Sequence, residues 1–155
     1  MNDPPTLATA VEAILAGVYT LLEAGRATGQ PLEGVLSIYR GGVDPPKPPT
    51  PVVMYWPDRM YTERKTFTNA EEWVLPVMVS AVINTDDPAI GPVKANDYTA
   101  KARGILLTNQ HLGDPGLDYV KVITSTNFDP NGPMNRKGTL YAALATLEIR
   151  FIARR

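Results

Sequence analysis

The chain has 155 residues, with 44% hydrophobic and 20% charged side chains, enough for one domain with a real core. A formal net charge of -1 excludes a chain that binds nucleic acid by overall electrostatics, and the absence of cysteine excludes disulfides, thiol catalysis and thiolate metal sites. The start, Met1-Asn-Asp-Pro-Pro-Thr6, has no basic n-region and no apolar run reads as a membrane span, so the expectation is a soluble chain without an export signal.

Residues 4–25 predict the first helix. Leu7, Val11, Ile14, Leu15, Val18, Leu21 and Leu22 keep one apolar stripe, Asp3 or Thr6 can cap the start, Pro4 and Pro5 fit a first turn, and Gly25 and Gly29 are stop signals. The opposite face is small and nearly neutral (Ala8, Glu12, Ala16, Thr20), suited to water or to another subunit. Residues 32–39 predict a short strand closed by Gly41-Gly42. The tract Val43-Asp-Pro-Pro-Lys-Pro-Pro-Thr-Pro51 must be extended, because each proline bars a helix and removes a donor, and it reads as a stiff surface loop.

Val52–Trp56 predicts a strand, Pro57-Asp58 a turn, and 61–68 an exposed or edge strand. Residues 71–84, whose core 73–83 is apolar on both faces, predict a central strand, with Pro76 requiring a bulge or an edge position. Asp86-Asp87-Pro88 and Gly91-Pro92 end it, and residues 94–112 predict a second helix that buries Tyr98, Ala102, Ile105 and Leu106, capped by Asn96 or Asp97 and ended by Gly113 and Pro115.

The last forty residues predict a strand over 117–126, a long loop over 127–138 and a strand over 139–152. In the final strand Leu147, Ile149, Phe151 and Ala153 face the core, while Thr146, Glu148, Arg150 and Arg154 form a polar row. This region is basic. Lys121, Arg136, Lys137, Arg150, Arg154 and Arg155 stand against Asp118, Asp129 and Glu148, giving +3 for residues 116–155 and leaving -4 for the rest. Strands do not alternate singly with helices. The expected fold is therefore α+β in one domain spanning 1–155: a mainly antiparallel sheet, two helices packed on one face, a proline-rich loop over 43–59 and a long loop between the last two strands.

The catalytic inventory is thin. His111 is the single histidine and, at a helix end, reads as structural. Glu71-Glu72 point to opposite faces of a strand and cannot easily share a proton or a metal, and Asp86-Asp87-Pro88 reads as turn chemistry. Gly41-Gly42 precedes prolines rather than a helix, so no phosphate loop is present. The expectations are no enzyme activity, no metal and no cofactor. Contact chemistry is better represented. Tyr55 and Trp56 with Arg59 and Arg64 give an aromatic-basic group, Arg136 and Lys137 lie in the last long loop, and Glu148, Arg150 and Arg154 form the polar row; these are the candidate partner-binding residues. Arg150→Glu is expected to leave the monomer's melting temperature nearly unchanged.

The element order and the closing segment resemble the tail terminator and tail-completion proteins of long-tailed bacteriophages. The likeness is carried by the strand Val120-Lys-Val-Ile123, the run Asn127-Phe-Asp-Pro130 and the strand Leu140-Tyr-Ala-Ala-Leu-Ala-Thr-Leu-Glu-Ile-Arg-Phe151, preceded by helix, strand group and helix. Pro45–Pro51 departs from the family in length and proline content. The resemblance implies a virion structural protein made in the host cytoplasm. It would be a homo-oligomeric ring, typically a hexamer in that family, capping the tail tube and joining it to head-tail connector proteins. Genome DNA would pass through the lumen without sequence-specific contact, and no membrane would be involved. The residues leave open another virion joint (neck, head-completion or baseplate protein) and a small cellular ligand-binding domain or enzyme.

Overall fold

The computed structural model describes residues 4–41, 49–65, 69–113, 117, 120–130 and 132–154. The proline tract from Pro45 to Pro48, the strand end at 66–68 and Pro115 lie outside these residues. In chain order the elements are α1 (Leu7–Ala24), β1 (Ser37–Arg40), β2 (Val52–Pro57), β3 (Tyr61–Lys65), β4 (Ala70–Asn84), α2 (Gly91–Thr108), β5 (Val120–Asp129), β6 (Leu140–Ala142) and β7 (Leu144–Arg154). They form an α+β fold around one mixed sheet of order β1-β2-β4-β7-β5, in which β3 and β6 also pair with β4. The β1–β2 pair is parallel and every other pair is antiparallel.

The 15-residue β4 is the spine. On one side it pairs with β7 from Ala70↔Arg154 to Val79↔Ala145, then with β6 from Val82↔Ala142. Val79 to Val82 and Ala145 to Ala142 are equal steps, so β6 and β7 are one long strand without a slip, parted only at Ala143. Two side chains serve the backbone at this break: Ser80 Oγ donates to the Ala143 carbonyl at 2.6 Å, and the Ala81 N–H donates to Thr99 Oγ1 on α2 at 2.9 Å. On its other side β4 meets β2 and then β3, with the chain irregular between Pro57 and Tyr61. Pro76 sits opposite that irregularity. Its carbonyl accepts from the Asp58 N–H at 2.9 Å, so its missing donor falls where the partner strand breaks.

The two faces of the sheet differ because strand side chains alternate. One face carries Leu75, Val77, Val79 and Ala81 from β4, Leu147, Ile149, Phe151 and Ala153 from β7, and Val53 and Tyr55 from β2. Both helices pack there. Ile14, Leu15, Val18 and Leu22 of α1 and Ala102 and Leu106 of α2 are buried in the same cluster. Each fully buried Leu, Ile or Phe contributes roughly 1.5–3 kcal/mol by leaving water. Contrary to the reading that no run is long enough, α1 has the length and hydropathy of a membrane span, yet its large apolar residues are spent on this core. The other face holds a smaller cluster of Val52, Met54, Val82 and Ala142, flanked by Trp56 and Leu140, and a polar half toward β3.

Several boundaries move. Thr6 is the N-cap of α1, accepting the Thr9 N–H at 3.2 Å, so Pro4 and Pro5 precede the helix instead of filling its first turn. Leu32 and Val35 are buried from turns, and β1 begins only at Ser37. α2 starts three residues earlier than expected, with Gly91-Pro92 inside it and Asn96 and Asp97 in its body. Proline in a first turn is a start signal, because its absent N–H would have no helical partner there. Gly91 also lets the helix seat against the Tyr141 ring, which an added Cβ would overlap. α2 ends at Thr108, leaving His111 in the following turn.

Candidate functional site

The polar row on β7 is built by register. Tyr61↔Val74 and Val74↔Arg150 place β3, β4 and β7 side by side, with Pro76↔Glu148 two residues on. All these side chains share the face that the helices leave open. Tyr61 Oη donates to Glu148 Oε2 at 2.9 Å, a bond that spans from β3 to β7 over β4. Val74, fully buried, lies between them. Beside this bond Arg150 Nε sits 3.4 Å from Glu72 Oε1, with the Glu72 side chain only 6% exposed and Arg150 28% exposed. A buried carboxylate needs a cation or donors at this range, since water no longer solvates it.

Glu148 and Arg150, expected to meet a partner, also have partners inside the chain, Tyr61 for Glu148 and the buried Glu72 for Arg150. Arg150→Glu is therefore expected to perturb folding, against the expectation of an unchanged melting temperature. Arg154 does lie in the same row, exposed at the strand end, where its N–H donates to the Pro5 carbonyl at 2.8 Å. With Thr6, Leu7 and Trp73 it lines a shallow hollow of about 300 Å³.

The aromatic-basic group does not assemble as the sequence suggested. Tyr55 and Trp56 are consecutive on β2 and point to opposite faces. Tyr55 is 4% exposed in the main core, its ring 6.4 Å from that of Tyr19, and burial raises its pKa above the usual phenol value. It offers no surface to a partner. Trp56 is half-buried against the second cluster. Arg59 is exposed in the turn between β2 and β3, and Arg64 lies in β3 opposite Glu72, with its side chain outside what the structure describes.

Arg136 and Lys137 stand on a firmer base. The Asn135 side chain accepts from the N–H groups of Thr139 (2.8 Å) and Leu140 (3.2 Å) and donates to Thr139 Oγ1 at 2.9 Å. The Gly138 N–H closes the turn on the Asn135 carbonyl at 3.1 Å, with Gly138 at φ +68°, a conformation that suits glycine. Met134 N–H donates to the Leu140 carbonyl, and Pro133 bridges to Tyr141. The turn is thus fastened at its base, and Arg136 and Lys137 project from its tip, both exposed. Asn135 was absent from the sequence-based candidates; its spacing of three before a glycine is the signal that marks it.

The sequence reading did not pair Glu12 with Arg40, and it took His111 as structural without placing its partner. Glu12 on α1 and Arg40 on β1 form a two-bond ion pair at 2.8 and 3.1 Å, which holds Glu12 below and Arg40 above their ordinary pKa values. His111 has its Nδ1 2.9 Å from the Val120 carbonyl, and the Val122 N–H donates to the Gln110 carbonyl at 2.7 Å. Together Gln110 and His111 cover the outer edge of β5 at its start. Among the described residues no group of three or more His, Cys, Asp or Glu is placed to hold a metal ion.

No protein-family model matches the chain, and no curated protein matches its sequence.

Proposed function

We propose that this chain is a structural protein of a long-tailed bacteriophage, a tail terminator that closes into a ring, hexameric as in the family it resembles, at the end of the tail tube. The ring joins the tube to the head connector and lets DNA pass through its lumen without reading sequence. The observation that carries the reading is the closing hairpin. One long two-faced strand, β6 with β7, lies in the middle of the sheet, and the turn before it is fastened by Asn135 so that Arg136 and Lys137 are presented rigidly. A preordered tip loses little conformational entropy on docking, which suits a joint that must form between preassembled parts. Paired cations there favour a partner ring with acidic rims and set register more than affinity.

The test is a reconstruction of assembled particles by electron cryo-microscopy. A ring of identical copies at the head-proximal end of the tail is expected. A single copy per particle, or a position at the baseplate, overturns the proposal. A second arm replaces Arg136 and Lys137 by Glu. The monomer should melt normally because both residues are exposed at a turn, while joining of tails to heads should fall.

A further inference from the structure

The turns between α1 and β1 bury two apolar side chains and hold a third one out. Leu32 and Val35 lie in the main core, whereas Leu36, next in the chain, is 52% exposed. Leu36 is fixed on both sides of its backbone. Its N–H donates to the Pro51 carbonyl at 2.8 Å, and its carbonyl accepts from Arg26 Nη2 at 2.6 Å. The same guanidinium donates through Nε to the Val35 carbonyl at 2.9 Å and is paired with Glu23. One cation thus clamps the loop, and Leu36 stands as an apolar knob on a stiff base. An anchor already held in one conformation loses little entropy when it docks.

A concave counterpart lies at the other end of the molecule. Leu7 and Trp73 pack against the margin of the main core and, with Thr6 and Arg154, line the hollow of about 300 Å³. The bond from the Arg154 N–H to the Pro5 carbonyl ties the two ends of the chain together there. Knob and hollow mark the two ends of one axis. α1 runs from Thr6 and Leu7 at the hollow to the loop that carries Leu36. Ser37 is aligned through Val52 with Val82 of β4, and Val82 lies roughly 30 Å along that strand from Trp73. Leu36 therefore cannot enter the hollow of its own chain.

We infer that Leu36 of one copy seats in the hollow of Thr6, Leu7, Trp73 and Arg154 on the next, a head-to-tail contact between copies of this chain. The charges at the two ends agree with it. Around the knob Glu12 is paired with Arg40, Glu23 with Arg26 and Asp97 with Lys101. Glu33, three residues before Leu36, is exposed, and among the described residues its carboxylate bonds only the Gly29 N–H, at 3.1 Å. Lys94 stands one turn before Tyr98, on the α2 side of the loop, where the Tyr98 hydroxyl meets the Glu33 carbonyl and not its carboxylate. Beside the hollow Lys65 and Glu71 face each other from β3 and β4, and Glu72 holds Arg150, so Arg154 is the cation presented at the rim. Glu33 against Arg154 adds little affinity in water but sets the register of the seat. A contact between two unlike features repeats until it closes into a ring or runs on as a filament. It names how copies would meet in the ring proposed above and rests on that reading for closure alone.

The chain contains no cysteine, so introduced thiols report the contact alone. Leu36→Cys and Leu7→Cys are made separately, mixed in equal amounts at the highest soluble concentration and oxidised. The mixture should give a covalent dimer on a non-reducing gel that neither variant gives by itself. Gln30→Cys, exposed in the same loop, should give far less with Leu7→Cys. Sedimentation of uncross-linked chains is the second arm. Leu36→Gln should melt like the native chain, because the side chain is exposed, yet weaken self-association by roughly tenfold or more, the worth of one buried leucine. Arg154→Glu should also weaken it, and Glu33→Arg in the same chain should restore it. A dimer from Leu36→Cys alone would show a two-fold contact and overturn the inference. So would a mixture that yields no dimer, or an association that Leu36→Gln leaves unchanged. A chain that stays monomeric at every concentration overturns it too, since the contact needs no third component. The tail reading is judged apart: a ring in the particle without this bond leaves that reading standing, and the bond in a chain that forms no ring in the particle leaves the contact standing without it.

Discussion

Replacing Arg150 tests whether the polar row on β7 serves the fold or waits for a partner. Its neighbour Glu72 is almost fully buried, with the two charged groups 3.4 Å apart. Removing one member of a buried pair costs about 3–5 kcal/mol, and an exposed pair contributes only about 0–1 kcal/mol. Arg150 keeps about a quarter of its surface in water, so Arg150→Met should fall between these limits, at about 2 kcal/mol. Arg150→Glu adds like-charge repulsion to the loss and should cost about 3 kcal/mol. At roughly 2–4 °C per kcal/mol for a chain of this size, the shifts are about 4–8 °C for Met and about 6–12 °C for Glu. Circular dichroism melts of the purified chain measure both. Lys121→Glu is the control. Lys121 pairs with Arg150 across strands and is exposed, so its reversal should stay within about 0.5 kcal/mol. If Arg150→Glu melts within a degree of the native chain, the Glu72 contact contributes nothing to stability and this reasoning is refuted.

The remaining predictions concern the core and its fittings. Phe151, fully buried between Trp73 and Val120 in register, should cost about 3–5 kcal/mol when cut to alanine, read as a lower urea midpoint with an unchanged slope. Gly91→Ala should destabilise by about 1–3 kcal/mol, because the new Cβ meets the Tyr141 ring. Gly104→Ala, in the body of α2 with open space around it, should stabilise by about 0.5–1 kcal/mol; equal effects from the two would refute this account of helix packing. Burial raises the Tyr55 pKa, so the folded state holds the neutral phenol more tightly than the unfolded chain does. That contribution is complete below the unfolded value of about 10 and is lost as pH rises through the folded one. Tyr55→Phe should therefore flatten the alkaline limb of the stability–pH curve.

Much of the architecture was legible in periodicity. The helix stripe of α1, the two-sided apolar run of β4 and the alternation on β7 each follow from which side chains must leave water, and those requirements survive folding. The errors fall where a local signal has two meanings. Gly91-Pro92 reads equally as a break and as a helix start, and only the seat against Tyr141 decides. Tyr55 and Trp56 look like a paired surface feature in sequence, but consecutive strand residues part to opposite faces, and the one facing the helices is buried. The contact of Arg150 with Glu72 depends on register between two neighbouring strands and that of Tyr61 with Glu148 on register across three, between residues far apart in the chain, which no local pattern carries.

Pro76 shows how the same physics reaches from sequence to site. A proline in a central strand demands a place where no ladder donor is needed, and the chain provides it by breaking the partner strand into β2 and β3. The break lets β3 pair further along β4 in a shifted register: Pro57↔Val77 gives way to Tyr61↔Val74, four positions on one strand against three on the other. That one-residue offset puts Tyr61 on the open face, where its hydroxyl reaches Glu148. Without the offset the side chain at this position would face the helices, because a slip of one residue exchanges the faces of a strand. The proline thus helps to set which residues make up the polar half of the sheet. Arg150 is drawn inward to Glu72, whereas Arg136 and Lys137, on the turn fastened by Asn135, stay exposed.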